Sequence, residues 1–245
     1  TGVKQNGSLT VALTEHRHEE ILRQASMAKS FAVDVNEISI SELKSYHPFL
    51  NVDGVKGAVH LPLDGQGDPA NIAMALAKGA RDLGVKIFED TKVTGLNTHN
   101  NSVSGIYWMN KDGKGLIKTE NAANCAGMWA RDFAESQGVT VPLHACEHFY
   151  IVTEPVKNLS TLPVLRMPDE QTYYKEDAGK FLVGAFELEA KPWGMDGIDE
   201  DFCFDQLPED LDHFEPILEK AIKRIPILAK YLSLIHISEP TRRTT

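Results

Sequence analysis

The sequence predicts a mixed α/β fold, in which strands and helices alternate along the chain. Residues 7–13 alternate small, polar and apolar side chains as a strand does, and residues 15–32 then place apolar side chains at helical spacing. Residues 103–119 are typical of a hairpin across a Lys-Asp-Gly turn. Residues 121–129, N-A-A-N-C-A-G-M-W, place small side chains where an apolar strand is predicted to end and a helix to begin.

Composition excludes several classes of protein. The chain has 245 residues, of which 42% are hydrophobic, enough for the core of one large domain or two interleaved domains. A net charge of −10 without clustered Lys and Arg argues against a nucleic-acid partner. No apolar run approaches the roughly 20 residues that span a bilayer. Cys125, Cys146 and Cys203 lack C-x-x-C spacing, which favours a reducing compartment and indicates neither a disulfide framework nor a zinc site.

The first third of the sequence contains two further helices. One is predicted to begin after Ser41 as N-cap and to end before Pro48. The other, residues 70–83, follows Asp68 as N-cap, ends at Gly84, and is expected to bury four apolar side chains: Ile72, Leu76, Ala80 and Leu83. A strand is predicted between them, at residues 55–63.

Three histidines in this part of the chain are interpreted as solvated surface residues: His16, His18 and His47. The first two are too close in sequence to share one face of a helix, so a metal site is not predicted there.

Short strands are predicted at residues 85–88 and 92–96, ahead of the hairpin. This order of strand, hairpin, strand and helix is typical of the second half of a two-part dinucleotide-binding fold. Near the end, residues 208–224 have the spacing of an amphipathic helix whose charged residues form a solvated face.

Several side chains could carry chemistry. His148 precedes a predicted strand at residues 149–153 and could accept a proton from an alkylammonium substrate, or it could be a hydrogen-bonded core histidine. Tyr173 and Tyr174 are adjacent in an extended segment, so only one of the two can face a cavity. Arg166 could bind a carboxylate with two hydrogen bonds or lie on the surface. The corner at residues 124–129 could present backbone N–H groups to a cofactor, or need no ligand.

Short segments spread along the chain resemble one protein family. They are Q-N-G-S-L at 5–9, D-G-Q-G-D-P at 64–69, T-K-V-T-G at 91–95, N-A-A-N-C-A-G-M-W-A-R at 121–131, P-L-H-A-C-E-H-F-Y-I-V-T at 142–153 and A-K-P-W at 190–193. In this order they resemble the sarcosine and dimethylglycine dehydrogenase family of FAD-dependent amine oxidoreductases, within the D-amino-acid-oxidase-like superfamily. The resemblance extends from about residue 1 to 228.

The resemblance implies a D-amino-acid-oxidase-like architecture, in which part of an FAD-binding dinucleotide domain is interleaved with an antiparallel-sheet substrate domain. Residues 1–69 and 143–231 would belong to the substrate domain and residues 70–142 to the second part of the FAD domain. Residues 232–245 resemble a translated sequencing adapter. No G-x-G-x-x-G occurs in the sequence. The chain is therefore expected to be a fragment truncated at both ends, binding flavin weakly and inactive by itself.

The activity implied is oxidation of the N-methyl group of sarcosine, dimethylglycine or a similar amine, by hydride transfer to FAD. The one-carbon unit would be released as formaldehyde or passed to tetrahydrofolate bound by a C-terminal domain. Electrons would leave to an electron-transfer flavoprotein or to oxygen. The expected location is the cytoplasm in a bacterium or the mitochondrial matrix in a eukaryote. Two alternatives stay open: a non-catalytic flavoprotein-like regulatory subunit of a phosphatase, or another amino-acid oxidase.

The resemblance also assigns roles to individual residues. Catalytic roles fall on His148 and Tyr173, and substrate binding on Arg166 and Tyr174. No metal ligand is predicted. The residues expected to contact FAD are Val93 through its backbone, Cys125, Ala126, Gly127 and Trp129.

Overall fold

The computed structural model describes residues 2–157, 159, 161–199, 202 and 207–232. The chain divides into two compact units. The first, called the sheet unit, comprises residues 1–73, 147–190 and 206–241, and the second, called the meander unit, comprises residues 74–146, 191–205 and 242–245. The binding roles assigned to the corresponding segments of sequence remain predictions. The predicted adapter-like segment and Cys203 lie outside the described residues, except for Leu232.

The strands are, in chain order, β1 (Val3–Lys4), β2 (Ser8–Ala12), β3 (Asn36–Ile38), β4 (Gly57–Leu61), β5 (Gln66–Gly67), β6 (Lys92–His99), β7 (Ser102–Asn110), β8 (Gly113–Lys118), β9 (Ala145–Cys146), β10 (Tyr150–Val152), β11 (Val164–Met167), β12 (Thr172–Asp177), β13 (Lys180–Ala185) and β14 (Pro192–Trp193). The helices are α1 (Glu15–Ser30), α2 (Ile40–Tyr46), α3 (Pro69–Asp82), α4 (Ala130–Ser136), α5 (Leu211–Arg224) and α6 (Leu228–Tyr231). Single 3-10 turns lie at Gly127–Trp129 and Pro168–Glu170. The predicted mixed α/β class is confirmed.

The sheet unit is built on a seven-stranded sheet with the order β10-β13-β12-β11-β2-β4-β3. Only β11 and β2 pair in parallel within it, and all other neighbours are antiparallel. One face carries the larger core, which α5 and α6 complete. This core includes the buried side chains of Leu9, Val11, Leu165, Met167, Tyr174, Phe181, Val183, Phe214, Ile217 and Leu228. The other face is covered at one end by α1.

The helix α1 packs on the sheet through one apolar stripe. Ile21 and Ala25 form a small core with Val59 of β4 and neighbouring residues. Its first turn is capped by Thr14, whose hydroxyl accepts a hydrogen bond from the Arg17 N–H at 3.1 Å. The predicted strand and helix at residues 7–32 are therefore confirmed.

The N-cap of α2 lies two residues earlier than predicted. Ser39 is the N-cap, and it exchanges hydrogen bonds with Glu42 in a capping box, while Ser41 lies inside the helix. A serine with glutamate three residues later satisfies two terminal N–H groups, which Ser41 cannot do. The predicted end of the helix before Pro48 is confirmed.

His47 is buried in the sheet unit, so its interpretation as a surface histidine is wrong. It follows α2 directly and is only 1% exposed. Its ring lies near the aromatic rings of Phe181 and Phe49, at centroid distances of 6.3 and 6.5 Å. Burial lowers the pKa of His47 to about 4, because the imidazolium would lose its hydration there.

The helix α5 carries a buried charge, contrary to the prediction that its charged residues all face solvent. Arg224, in its last turn, is 4% exposed. The guanidinium donates to both oxygens of Glu170, at 2.7 Å from Nη2 and 3.0 Å from Nε. Nη1 donates to the carbonyl oxygens of Asn51 and Asp53. This network joins α5 to the Pro168–Glu170 turn and to the loop after α2.

The meander unit contains the antiparallel sheet β6-β7-β8, which confirms the predicted hairpin and the strand before it. Asp68 caps α3 as predicted, accepting the Asn71 N–H at 2.8 Å. The predicted burial of that helix is wrong, because it buries none of its residues and Leu76 is 70% exposed. Ile72 lies beside Gly67 of β5, whereas Leu83 is 88% exposed.

Two predicted strands of the meander unit are also absent from the described chain. Residues 85–88 follow α3 without strand pairing, and residues 121–126 lead into the corner as irregular backbone. A strand requires a partner that supplies hydrogen bonds, and no described segment pairs with either.

Within the described residues, no helix is long and apolar enough to cross a membrane. The same residues contain no group of three or more His, Cys, Asp and Glu side chains suited to a metal ion.

Candidate functional site

A row of residues crosses one face of the seven-stranded sheet, and we call it the open face. In register, Arg166 on β11 pairs with Tyr173 on β12, Tyr173 with Gly184 on β13, and Gly184 with Tyr150 on β10. Directly paired residues project to the same side of a sheet. Arg166 is exposed, and both tyrosines are half-buried. The row therefore places a cation and two phenol rings on one accessible surface.

Tyr173 lies across the backbone of Gly184. A Cβ atom built on Gly184 would lie 2.1 Å from Cζ of Tyr173, which no real contact permits. The ring of Tyr173 also approaches that of Phe186, with centroids 5.3 Å apart. Glycine at 184 is thus what allows the phenol to lie flat on the sheet.

Tyr174 projects to the opposite face and is 1% exposed within the larger core. Burial raises the pKa of its hydroxyl, because the phenolate would be desolvated. The expectation that only one of the two tyrosines reaches an accessible surface agrees with this arrangement. The substrate-binding role predicted for Tyr174 is wrong, since the sheet separates its side chain from any ligand on the open face.

His148 is paired with a carboxylate that is distant in sequence. Its Nδ1 lies 2.7 Å from Oε2 of Glu187, and the two side chains are 14% and 3% exposed. The other carboxylate oxygen, Oε1, accepts the backbone N–H of Phe149 at 3.2 Å. Nε2 of His148 has no hydrogen-bond partner among the described residues. The imidazole therefore has one nitrogen engaged with the protein and one available.

The histidine belongs to the same aromatic cluster as Tyr173. Phe186 contacts both, with its ring centroid 6.2 Å from that of His148 and 5.3 Å from that of Tyr173. The structure thus brings together the two residues predicted to be catalytic, with Phe186 between them.

Arg166 has no carboxylate partner within the described part of the chain. Its neighbours along the row are Tyr173 and, on β2, Thr10. A guanidinium without an internal partner can bind a planar carboxylate through two parallel hydrogen bonds. Its place on the open face is consistent with the predicted substrate contact.

The corner at residues 124–129 lies in the meander unit and is open to solvent. The Asn124 side chain accepts the Ala126 N–H at 3.2 Å and donates to the Ala130 carbonyl at 3.0 Å, which closes the turn. Gly127 has φ of 56°, a left-handed value that suits glycine. Residues 125–127 are exposed and carry no side chain larger than cysteine.

This corner fits an FAD contact on its own geometry. Small exposed residues allow a ring or phosphate to approach the backbone closely, and Trp129, at 39% exposure, adds an accessible aromatic surface beside it. Val93 lies on β6, an edge strand of the meander, and is 44% exposed. Its contact with FAD stays a prediction.

Comparison with known proteins identifies the family. The model of the FAD dependent oxidoreductase family DAO matches residues 1–239. The chain belongs to this family. It is 33% identical over 235 residues to human mitochondrial sarcosine dehydrogenase, covering 94% of this chain and 25% of that protein. It is equally identical, at 33% over 245 residues, to the mouse pyruvate dehydrogenase phosphatase regulatory subunit, covering 98% of this chain and 27% of that one.

A solved structure supports the fold. L-proline dehydrogenase from P. horikoshii superposes with a TM-score of 0.77 at 23% identity, over 94% of this chain and 58% of that one. The chain spans about a quarter of the length of the curated relatives it matches. The predicted D-amino-acid-oxidase-like fold is confirmed.

Sequence reasoning missed Glu187, Phe186 and Gly184. Glu187 is 39 positions from His148, and no local motif links them. The signal available was the pairing of the strand at 149–153 with the strand at 180–185. The sequence did not predict their register, Tyr150 with Gly184. Once known, that register brings residues 186 and 187 next to residues 147 and 148.

Proposed function

We propose that the intact gene product is an FAD-dependent oxidoreductase that oxidises the N-methyl group of an N-methylated amino acid such as sarcosine or dimethylglycine. The observation that carries the proposal is the arrangement of Tyr173, which pairs in register with Arg166 and lies beside the ring of Phe186, which also contacts His148. Among the described residues Arg166 has no carboxylate partner. Family membership supports the cofactor, and the similarity to sarcosine dehydrogenase supports the class of substrate.

Each residue has a role that follows from its chemistry. Arg166 binds the carboxylate of the amino acid and fixes its orientation. Nε2 of His148 accepts a proton from the alkylammonium group, because the nitrogen lone pair must be free before a C–H bond on the adjacent carbon can break. Tyr173 provides a phenol that limits the position of the amine on the sheet.

FAD would be held through the backbone of residues 125–127, the Trp129 ring and the backbone of Val93. When bound, it supplies the two-electron oxidation by accepting hydride from the N-methyl carbon. The product is an iminium, formed as the nitrogen lone pair becomes the second carbon–nitrogen bond. Its hydrolysis releases formaldehyde, or tetrahydrofolate takes the one-carbon unit.

An electron-transfer flavoprotein or oxygen would take up the electrons. The proposed location is the cytoplasm in a bacterium or the mitochondrial matrix in a eukaryote. The mitochondrial location is proposed by analogy with relatives that are named as mitochondrial proteins.

Replacing His148 tests the proposal. In the FAD-loaded gene product, His148→Ala is expected to slow flavin reduction by sarcosine about a hundredfold, because a general base is removed. Anaerobic stopped-flow absorbance of the flavin band, with sarcosine, dimethylglycine and proline in parallel, measures this rate. His144→Ala is the matched control: His144 is exposed, lies four positions earlier, and its loss should leave the rate unchanged. An unaltered rate in His148→Ala would remove this residue from the reaction.

A regulatory role is the second candidate, because the phosphatase regulatory subunit is as similar to this chain as sarcosine dehydrogenase is. Under that alternative, FAD binds but no amine in the panel reduces it. Reduction by proline or another unmethylated amino acid, and not by sarcosine, would instead indicate a different amino-acid oxidase.

A further inference from the structure

We propose that Glu187 is a positioning residue for His148, which holds the imidazole in the tautomer with hydrogen on Nδ1 and keeps Nε2 free as the proton acceptor. The inference rests on the proposed function, in which His148 acts as a base. It identifies Glu187 as the residue that keeps the imidazole in its basic form.

The short distance between Nδ1 and Oε2, 2.7 Å, indicates a direct hydrogen bond. An ionised carboxylate only accepts hydrogen bonds, so the proton in this contact belongs to Nδ1. In a neutral ring the other nitrogen then carries the lone pair. That is the form of histidine that can take a proton from an ammonium group.

The carboxylate itself is held in place. Its second oxygen accepts the N–H of Phe149, the residue that follows His148, so both contacts of Glu187 lie on one short segment. Two backbone bonds hold the chain just before Glu187, where it leaves β13. The Ala185 N–H donates to the carbonyl of Phe149 at 3.2 Å, and the Phe186 N–H donates to that of Gln171 at 2.8 Å.

Burial strengthens this arrangement. The Glu187 side chain is 3% exposed, so water does not compete for its oxygens. Phe186 shields the imidazole on one side. If Glu187 served only to fix the backbone after β13, its bond to the Phe149 N–H would be enough. Its second bond, to the imidazole of His148, indicates the positioning role.

The substitution Glu187→Gln separates these two roles. The amide has nearly the same shape, but only its oxygen can accept the Phe149 N–H. Its NH2 group then faces Nδ1 as a donor and favours the tautomer with hydrogen on Nε2. We expect nitrogen-15 NMR of histidine-labelled protein to show an Nδ1–H form for His148 in the wild type and an Nε2–H form in Glu187→Gln. The resonance is assigned from its loss in His148→Gln.

Kinetics provide the second measurement. In the FAD-loaded protein, Glu187→Gln is expected to lower kcat for flavin reduction about 10- to 100-fold, as is typical when the orienting partner of a histidine is lost, while KM stays within about twofold. Glu189→Gln is the matched control, because Glu189 is exposed and two positions away. Its kcat, KM and His148 tautomer should equal those of the wild type.

Several outcomes decide the proposal. A wild-type tautomer in Glu187→Gln, or an unchanged kcat despite a changed tautomer, would overturn it. If sarcosine and related amines fail to reduce the wild-type flavin, the proposed reaction fails. The NMR comparison then still decides the pairing: an Nε2–H tautomer in the variant supports the positioning role, and an unchanged Nδ1–H tautomer refutes it.

Discussion

His47 has a buried, neutral imidazole whose pKa is lowered to about 4 by desolvation. In the unfolded chain a histidine titrates near pH 6.5. The unfolded state therefore binds more protons between these values, and stability is lost as pH falls from about 6.5 towards 4. The lost free energy of unfolding is about 3 kcal/mol by pH 4. His47→Leu should remove this part of the pH dependence, measured by urea unfolding at pH 7.5 and pH 4.

The control variant is His16→Gln. Because His16 is exposed on α1, its replacement should leave the pH dependence of the free energy of unfolding unchanged. His60, whose pKa burial also lowers, will keep a residual slope in both variants. Equal acid sensitivity in wild type and His47→Leu would show that His47 is protonated in the folded state. The sequence around His47 did not reveal its burial, because the rings that cover it include Phe181, which is far along the chain.

Arg224 and Glu170 join α5 to the Pro168–Glu170 turn. Both oxygens of Glu170 are bound by Arg224, whose side chain is 5% exposed. Arg224→Met would leave the Glu170 carboxylate buried without its cation. This change is expected to lower the free energy of unfolding by about 4 kcal/mol. Urea unfolding at pH 7 measures it. Lys223→Ala, on the exposed side of the same helix, should change stability by less than about 0.5 kcal/mol.

The double variant Arg224→Met with Glu170→Leu tests the mechanism within α5. Removing both charges removes the unpaired carboxylate, so most of the lost stability should return. A double variant as unstable as the single one would mean that the bonds from Arg224 to the carbonyls of Asn51 and Asp53 matter more than the ion pair. The sequence predicted the helix from its apolar spacing, but the burial of its last arginine depends on a carboxylate 54 positions away.

Across the whole molecule, apolar burial is unevenly distributed between the two units. The sheet unit contains the larger core and the α1 cluster. Within the described meander unit, the buried apolar residues are only Ala130, Ala134 and Ala145. The periodicity of α3 predicted a helix correctly and its burial incorrectly, because periodicity identifies an apolar face without identifying what covers it. The D-amino-acid-oxidase-like fold could be recognised from short motifs, while the strand register that assembles His148, Glu187 and Tyr173 could not.

This imbalance predicts that the two units open at different free energies. Amides in β7 and β8 have few buried apolar contacts to break, so they should open locally, whereas those in β12 and β13 should open only with the larger core. Hydrogen exchange of the chain, followed by mass spectrometry, is expected to be at least about a hundredfold slower in peptides from residues 172–185 than in those from residues 102–118. Peptides from α1 serve as the internal reference, because that helix packs on the sheet. Similar protection in both sets would mean that the meander is stabilised by more than its own apolar burial.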